Sequence, residues 1–116
     1  MLWILNAFSL NMLPLGKRCR LAVEPVASDH ARKLAVYAVS AVGHETTAQL
    51  FSDVLGLPIP YHRATVVLQP GDHALVGEYE GPRLAEGATQ LPKGAGIRWF
   101  VVGMDGDDLR NESSEP

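Results

Sequence analysis

The chain has 116 residues, of which 47% are apolar and 20% are charged, and its formal net charge is −3. This length and composition suit one globular domain with a single packed core. The negative charge argues against a protein that coats duplex DNA, because that mode of binding needs a basic surplus to displace counterions.

Cysteine content and the N-terminal composition exclude two further classes. The single cysteine, Cys19, allows neither a disulfide within one chain nor a zinc knuckle. Residues 1–5 are apolar, but Asn6 interrupts the run and no basic leader is present. We therefore expect neither a signal peptide nor a membrane helix, but a cytoplasmic protein.

The first part of the chain predicts two strands, a helix and a short third strand. Runs that are apolar or that alternate with period two are typical of strands, and Pro25 is expected to end the second one. Ser28 or Asp29 is positioned to cap the helix. The predicted elements, in order, are strands at 2–5 and 18–23, a helix over 28–37 and a strand within 38–42.

The second part predicts a hairpin, a last strand and a tail. The most regular strand pattern, 64–69, is followed by a tight-turn sequence and by an alternating run at 73–80, so these two are expected to pair. A last strand is expected at 97–102. Polar, acidic composition then predicts a disordered tail over 104–116, after a folded domain over 1–103. The whole pattern predicts a small single α/β domain, a mixed sheet of about five strands with two main helices.

The turn before the second helix carries the clearest chemical signal. Gly43 and His44 precede residues 45–55, whose apolar side chains recur at helical spacing until Gly56 stops the helix. The free N–H groups of a first helical turn favour an anion such as phosphate, and a histidine there can transfer a proton near neutral pH. On this pattern alone, a helix start that happens to carry a histidine is the simpler interpretation.

Other polar residues stand in loops and turns, where binding groups are common. Arginine suits phosphate because its planar fork matches two oxygens at once. Taken alone, each residue is most simply interpreted as a solvated surface group. Their joint placement at the ends of elements favours a binding site more than any one of them does. These residues are Asn6, Ser9, Asn11, Arg63, Arg83 and Glu86. The four histidines are scattered, and the sequence contains no metal, nucleophile or dinucleotide motif, so no metal and no cofactor are expected.

Three stretches, in this order, resemble the motifs of the viral type III anti-CRISPR ring nucleases and their cellular relatives. They are residues 5–13, 40–48 and 83–87, and the resemblance covers roughly residues 1–102. It implies a small α/β fold, a homodimer and metal-independent cleavage of cyclic tetra-adenylate. That second messenger activates CRISPR ancillary effectors, so its destruction switches the immune response off.

Carried over position by position, the resemblance implies a catalytic set and a ligand-binding set. The catalytic set is His44, Arg83 and Glu86. The ligand-binding set is Asn6, Ser9, Asn11, Gly43 and Arg63. Two departures from the family pattern are the segment 90–94, which replaces a leucine- and glutamate-rich helix, and His62, which has no assigned role.

The expected reaction needs no metal because RNA carries its own nucleophile, the ribose 2′-hydroxyl. Its attack on the adjacent phosphorus leaves a 2′,3′-cyclic phosphate and a 5′-hydroxyl, and a two-fold dimer would thus produce linear di-adenylates. His44 is expected to act as general acid, Arg83 to stabilise charge, and Glu86 to orient the protonated His44 or keep it protonated. The alternatives are a non-catalytic module that binds a cyclic nucleotide or single-stranded nucleic acid, and a structural homodimer.

Overall fold

The computed structural model describes residues 1–14 and 16–105. It confirms a small α/β domain with a mixed five-stranded sheet and two helices. The strands are β1 (Leu2–Leu5), β2 (Arg20–Val26), β3 (Val39–Ser40), β4 (His73–Glu80) and β5 (Gly96–Asp105). The helices are α1 (Ser28–Ala35) and α2 (Glu45–Leu55), and a short 3-10 helix spans Leu10–Met12. In the part of the chain that the structure describes, no helix is long and apolar enough to cross a membrane.

The strand order is β2-β5-β4-β1-β3, with β1 parallel to both of its neighbours. β5 lies antiparallel between β4 and β2. From β1 the chain builds β3 on one side of it and later β4 on the other, so β1 marks a topological switch point. In open α/β sheets, ligands bind in the crevice outside the carboxyl ends of strands at such a point.

Both helices pack on one face of the sheet around the aromatic pair Phe51 and Trp99. The two ring centroids are 4.8 Å apart, with a 58° angle between the ring planes. Gly77 of β4 lies beneath both rings. A Cβ at this position would lie 2.5 Å from Phe51 Cζ and 2.6 Å from Trp99 Cζ3. Only glycine therefore allows both rings to approach the sheet this closely.

The opposite face of the sheet is covered by extended chain, which corrects the prediction of a strand at 64–69. These residues, all of them described, form no strand, and the predicted hairpin with 73–80 is wrong because β4 pairs with β1 and β5. Val66 and Leu68 are buried against the sheet, and the Leu68 N–H donates to the Met12 carbonyl at 2.7 Å. The alternation therefore reflects a segment lying across the sheet, not a strand within it.

Three smaller corrections concern the ends of elements. Pro25 lies inside β2 instead of ending it, which an edge strand tolerates because the missing N–H can face solvent. The N-cap of α1 is Ala27, not Ser28 or Asp29, and no side chain caps it. β5 continues to Asp105, so it includes two residues predicted to be tail; the rest of the predicted disordered tail, 106–116, lies outside the described residues.

Candidate functional site

The carboxyl ends of β1, β3 and β4 lie side by side, because these three strands are parallel neighbours. Asn6 directly follows β1, Gly43 and His44 follow β3 by way of a short turn, and the loop 81–95 follows β4. We call this region the carboxyl edge. It gathers residues of the catalytic and ligand-binding sets from three distant parts of the chain.

A hydrogen bond joins the first two of these parts. The Gly43 N–H donates to Asn6 Oδ1 at 3.2 Å, so the end of β1 is fixed to the turn that leads into α2. Asn6 also borders a hollow of about 560 Å³ on the sheet face opposite the helices. This sheet-face hollow includes Phe8, Val76 and Phe100 in its wall, so an apolar surface adjoins the polar edge.

His44 is the N-cap residue of α2, as the helix pattern predicts. Its backbone is extended (φ −136°, ψ 122°), its carbonyl accepts the Ala48 N–H at 2.9 Å, and its side chain makes no capping hydrogen bond. The exposed ring instead has Nδ1 3.4 Å from Thr47 Oγ1. The hydroxyl either donates to Nδ1 or accepts from it, according to the protonation of the ring, and in both cases Nε2 is the nitrogen free to face a ligand.

Arg63 lies against the same turn, although the sequence separates it from Gly43 by twenty residues. A Cβ on Gly43 would lie 3.6 Å from Arg63 Cγ and 3.9 Å from its Cα. An isolated parallel bridge between Val42 and Tyr61 and a hydrogen bond from the His62 N–H to the Val42 carbonyl (2.9 Å) hold this approach. Arg63 and His44 therefore border one glycine, and both side chains are exposed.

Glu86 lies across a cleft of about 410 Å³ from the first turn of α2. Glu45, Thr46 and Gln49 line the helix side of the cleft and residues 86–89 its loop side. The glutamate thus shares a cleft with the turn that begins directly after His44. Within the described residues, however, no hydrogen bond or ion pair joins Glu86 to His44, so the expected orienting contact is not formed in one chain.

The three remaining predicted residues are exposed and less tightly tied to the edge. Arg83 lies on the loop that Tyr79 anchors by donating its hydroxyl proton to the Pro82 carbonyl at 2.5 Å. Ser9 precedes the 3-10 helix and accepts the Met12 N–H on its carbonyl at 3.0 Å, and Asn11 lies within that helix. Both follow β1 in the loop, as predicted, but the structure shows no side-chain bond from either to His44 among the residues described.

Arg98 of β5 differs from the exposed Arg63 of the site in that its charge is paired with two glutamates. It forms ion pairs with Glu78 and with Glu80, the latter with Nε 2.6 Å from Oε1. The hydrogen bond to Glu78, followed by the charge of Glu80, raises the pKa of the Arg98 guanidinium above its ordinary value. Its charge is already matched within the chain, which makes it a poorer anion ligand than Arg63.

Sequence reasoning missed two residues of this region, Ser40 and Thr47. Thr47 follows His44 by three positions, a spacing that puts two side chains on one helix face and so was readable from the sequence. Ser40 is a buried polar residue, 8% exposed, at the end of β3. No sequence signal marks it, because a serine after an apolar run is equally common at the surface. Among residues 1–14 and 16–105, no group of three or more His, Cys, Asp or Glu could hold a metal ion.

Comparison with known proteins assigns a family. A family model described as STIV B116-like matches residues 2–93. "Uncharacterized protein 26" of Sulfolobus islandicus filamentous virus (isolate Iceland/Hveragerdi) is 34% identical over 77 residues, which cover 65% of this chain and 64% of that relative, just under two thirds of its length. "Uncharacterized protein ORF117" of Acidianus two-tailed virus is 32% identical over 92 residues, which cover 73% of this chain and 78% of that relative.

A solved structure shares the fold. B116 of Sulfolobus turreted icosahedral virus aligns with a TM-score of 0.72 at 24% identity and covers 88% of this chain and 97% of its own. These findings correct the motif resemblance: the family that matches is the STIV B116-like family and not the ring nuclease family, so that assignment was wrong. The resemblance therefore no longer supports the expected activity, substrate or dimer. Support for them has to come from the geometry of the carboxyl edge.

Proposed function

We propose that this chain, which belongs to the STIV B116-like family, is a ring nuclease that cleaves cyclic tetra-adenylate without a metal. The products are linear di-adenylates with 2′,3′-cyclic phosphate ends, and the consequence is the end of type III CRISPR signalling in the cytoplasm of a prokaryotic or virus-infected cell. One observation carries the proposal: His44 and Arg63 border the same glycine at the carboxyl edge, at the start of a helix.

Anion binding is the first element of the proposal. The first turn of α2 offers N–H groups that no side chain caps, and its dipole favours negative charge. Gly43 presents no side chain between that turn and Arg63, so a phosphate is able to approach both. A guanidinium can hold two phosphate oxygens at once, which fixes the orientation of the phosphodiester.

Proton transfer is the second element. The 2′-oxygen forms a bond to phosphorus, the bond from phosphorus to the 5′-oxygen breaks, and the proton of the 2′-hydroxyl passes to solvent. His44, as the doubly protonated imidazolium, donates its Nε2 proton to the departing 5′-oxygen and becomes neutral, a role that contributes about a hundredfold or more to the rate. The Thr47 hydroxyl, 3.4 Å from Nδ1, accepts the second ring proton of this imidazolium and holds the ring with Nε2 toward the ligand.

The loop that follows β4 supplies the third element. Arg83 is exposed there and pairs with no described residue, so it is available to stabilise charge on the phosphate in the transition state. Glu86, across the cleft from the first turn of α2, is proposed to orient the His44 ring for this proton transfer. Asn6, Ser9 and Asn11 are proposed to position ribose and phosphate around this centre.

A ring of four identical nucleotides suits a protein with two-fold symmetry. In a homodimer the two carboxyl edges are equivalent and act on opposite phosphates, which gives two identical di-adenylates.

A second candidate is a non-catalytic module that binds a cyclic nucleotide or single-stranded nucleic acid. The sheet-face hollow supports it, because an apolar wall with Phe8 and Phe100 beside Asn6 suits stacking of bases. Such a module needs Arg63 but not His44.

The deciding experiment incubates the protein with radiolabelled cyclic tetra-adenylate in excess chelator and separates the products by chromatography. We expect the wild type to release linear di-adenylates, and the His44→Ala variant to bind the ring without cleaving it. Full activity of His44→Ala removes the catalytic assignment. An intact ring that binds tightly to the wild type selects the binding module. A ring that neither binds nor reacts excludes the nuclease and the binding of this cyclic nucleotide, and leaves only a module for single-stranded nucleic acid.

A further inference from the structure

Ser40 is the centre of a polar contact between β3 and the proline-rich connector. Its hydroxyl donates to the Pro60 carbonyl at 2.6 Å and accepts the Val42 N–H at 3.3 Å. Its own carbonyl lies 2.9 Å from Nδ1 of His62. We call these three residues, Ser40, Pro60 and His62, the Ser40 clasp. Its last residue, His62, directly precedes Arg63 in the sequence, and Arg63 lies against Gly43.

The side chain of His62 closes this clasp from the outer side. A carbonyl oxygen only accepts hydrogen bonds, so Nδ1 of His62 carries the proton. The backbone N–H of the same residue donates to the Val42 carbonyl at 2.9 Å. His62 is thus attached at two points, one on each side of Ala41, and the next residue along the chain is the arginine.

We propose that His62 is a positioning residue which, through the Ser40 carbonyl, fixes Arg63 against Gly43 in the orientation that meets a phosphate. The effect on ligand rests on the proposed function, whereas the effect on Arg63 does not. His62 itself transfers no proton. Val42 and Tyr61 form only an isolated bridge, so the His62 ring holds the chain in place where a longer strand pairing would otherwise do so.

The geometry explains why a side chain is needed here. Residues 62–69 form no strand, so a ladder of backbone hydrogen bonds does not continue past the bridge to hold Arg63. Without the ring, one backbone bond would remain between His62 and the β3 side of the clasp. The arginine would then sample several positions, and binding a phosphate would require ordering it again.

The test compares His62→Asn with His62→Phe. The amide of Asn places an N–H donor near the position of Nδ1, so this variant keeps the bond to the Ser40 carbonyl, and Phe removes it at similar size. For cyclic tetra-adenylate cleavage we expect His62→Phe to raise KM about three- to tenfold with kcat little changed, the size of one hydrogen bond. His62→Asn should behave as the wild type, and so should His73→Phe, a control at the amino end of β4, the opposite end of the strands from the carboxyl edge.

Two further readouts separate positioning from other roles. In an Arg63→Ala background, His62→Phe should raise KM no further, because the histidine acts through the arginine. In the free protein, the nuclear Overhauser effect between the Gly43 α-protons and the Arg63 side chain should be present in the wild type and in His62→Asn, and lost in His62→Phe. This last measurement needs no nucleotide.

Each outcome decides the matter. If His62→Phe keeps the Gly43–Arg63 contact, the positioning role is overturned whether or not the protein cleaves the ring. If kcat falls strongly in both His62→Phe and His62→Asn, the ring itself takes part in the chemistry and the inference is wrong. If the wild type leaves the ring uncleaved but the contact responds as expected, the proposed function fails and the positioning of Arg63 stands.

Discussion

Replacing Gly77 by alanine tests the packing that places the sheet beneath its helices. The new Cβ would lie 2.5 Å from Phe51 Cζ, 2.6 Å from Trp99 Cζ3 and 3.0 Å from Phe51 Cε1. The optimal carbon–carbon separation is about 3.5 Å or more, so at least one ring must move by about 1 Å. Neither has room to do so, because Phe51 is 0% and Trp99 2% exposed.

The magnitude follows from these two contacts. Overpacking a rigid core lowers the free energy of unfolding by about 1–3 kcal/mol. Disturbing an aromatic pair lowers it by a further amount of about 0.5–1.5 kcal/mol. We expect Gly77→Ala to lower the free energy of unfolding by about 3 kcal/mol. For a chain of this length the melting temperature should fall by about 10–15 °C, at about 4 °C per kcal/mol. Urea unfolding followed by tryptophan fluorescence measures the loss at 25 °C directly.

Gly96→Ala is the matched control, since a Cβ there meets no heavy atom within 4 Å and the residue does not have a positive φ. It should leave stability unchanged or raise it by up to about 1 kcal/mol. Combining Gly77→Ala with Phe51→Leu should cost less than the sum of the two single losses, because the smaller side chain makes room. A Gly77→Ala protein within about 0.5 kcal/mol of the wild type would refute the reasoning.

Three other substitutions have defined outcomes. Ser52→Ala removes the hydroxyl that accepts the Ile59 N–H at 2.9 Å and should lower stability by about 1–3 kcal/mol in urea titrations; an unchanged midpoint would show that water replaces it. Gly56→Ala places a side chain at φ 66° and should cost about 1–2 kcal/mol, with a loss below 0.3 kcal/mol speaking against a strained C-cap. Asn6→Ala frees the Gly43 N–H and should reduce ring cleavage by about tenfold at nearly unchanged melting temperature; equal rates would remove Asn6 from the site.

Much of the fold was readable because its signals are local. The run 2–5, the alternation of 73–80 and the glycine after α2 each depend on neighbouring residues, and the structure contains all three features. The segment 64–69 was not readable, since a strand within a sheet and an extended chain lying on one bury alternate side chains in the same way. Choosing between them requires the hydrogen-bond partners, and Leu68 finds its partner at Met12, far away in the sequence.

In the candidate site too, features set by neighbouring residues could be predicted and features set by distant residues could not. His44 could be placed at a helix start, because the apolar spacing of α2 fixes where that helix begins. The approach of Arg63 to Gly43 could not be foreseen, since it depends on the Val42–Tyr61 bridge and on a buried serine. Short motifs also misled the family assignment, because the match that identifies the STIV B116-like family extends over residues 2–93 and not over three stretches.

The central position of β1 constrains the order in which the domain can assemble. Trp3 and Ile4 pair with Val39 and Ser40 on one side, and all four β1 residues pair with 73–76 on the other, so each pairing waits until the later strand has been synthesised. Contacts between such distant residues slow folding, since loop closure precedes any gain from pairing. During synthesis, β1 is therefore held on both sides only after residues 73–76 have emerged. The Asn6–Gly43 hydrogen bond needs only the first of these pairings, so one contact of the carboxyl edge can form while β4 is still missing.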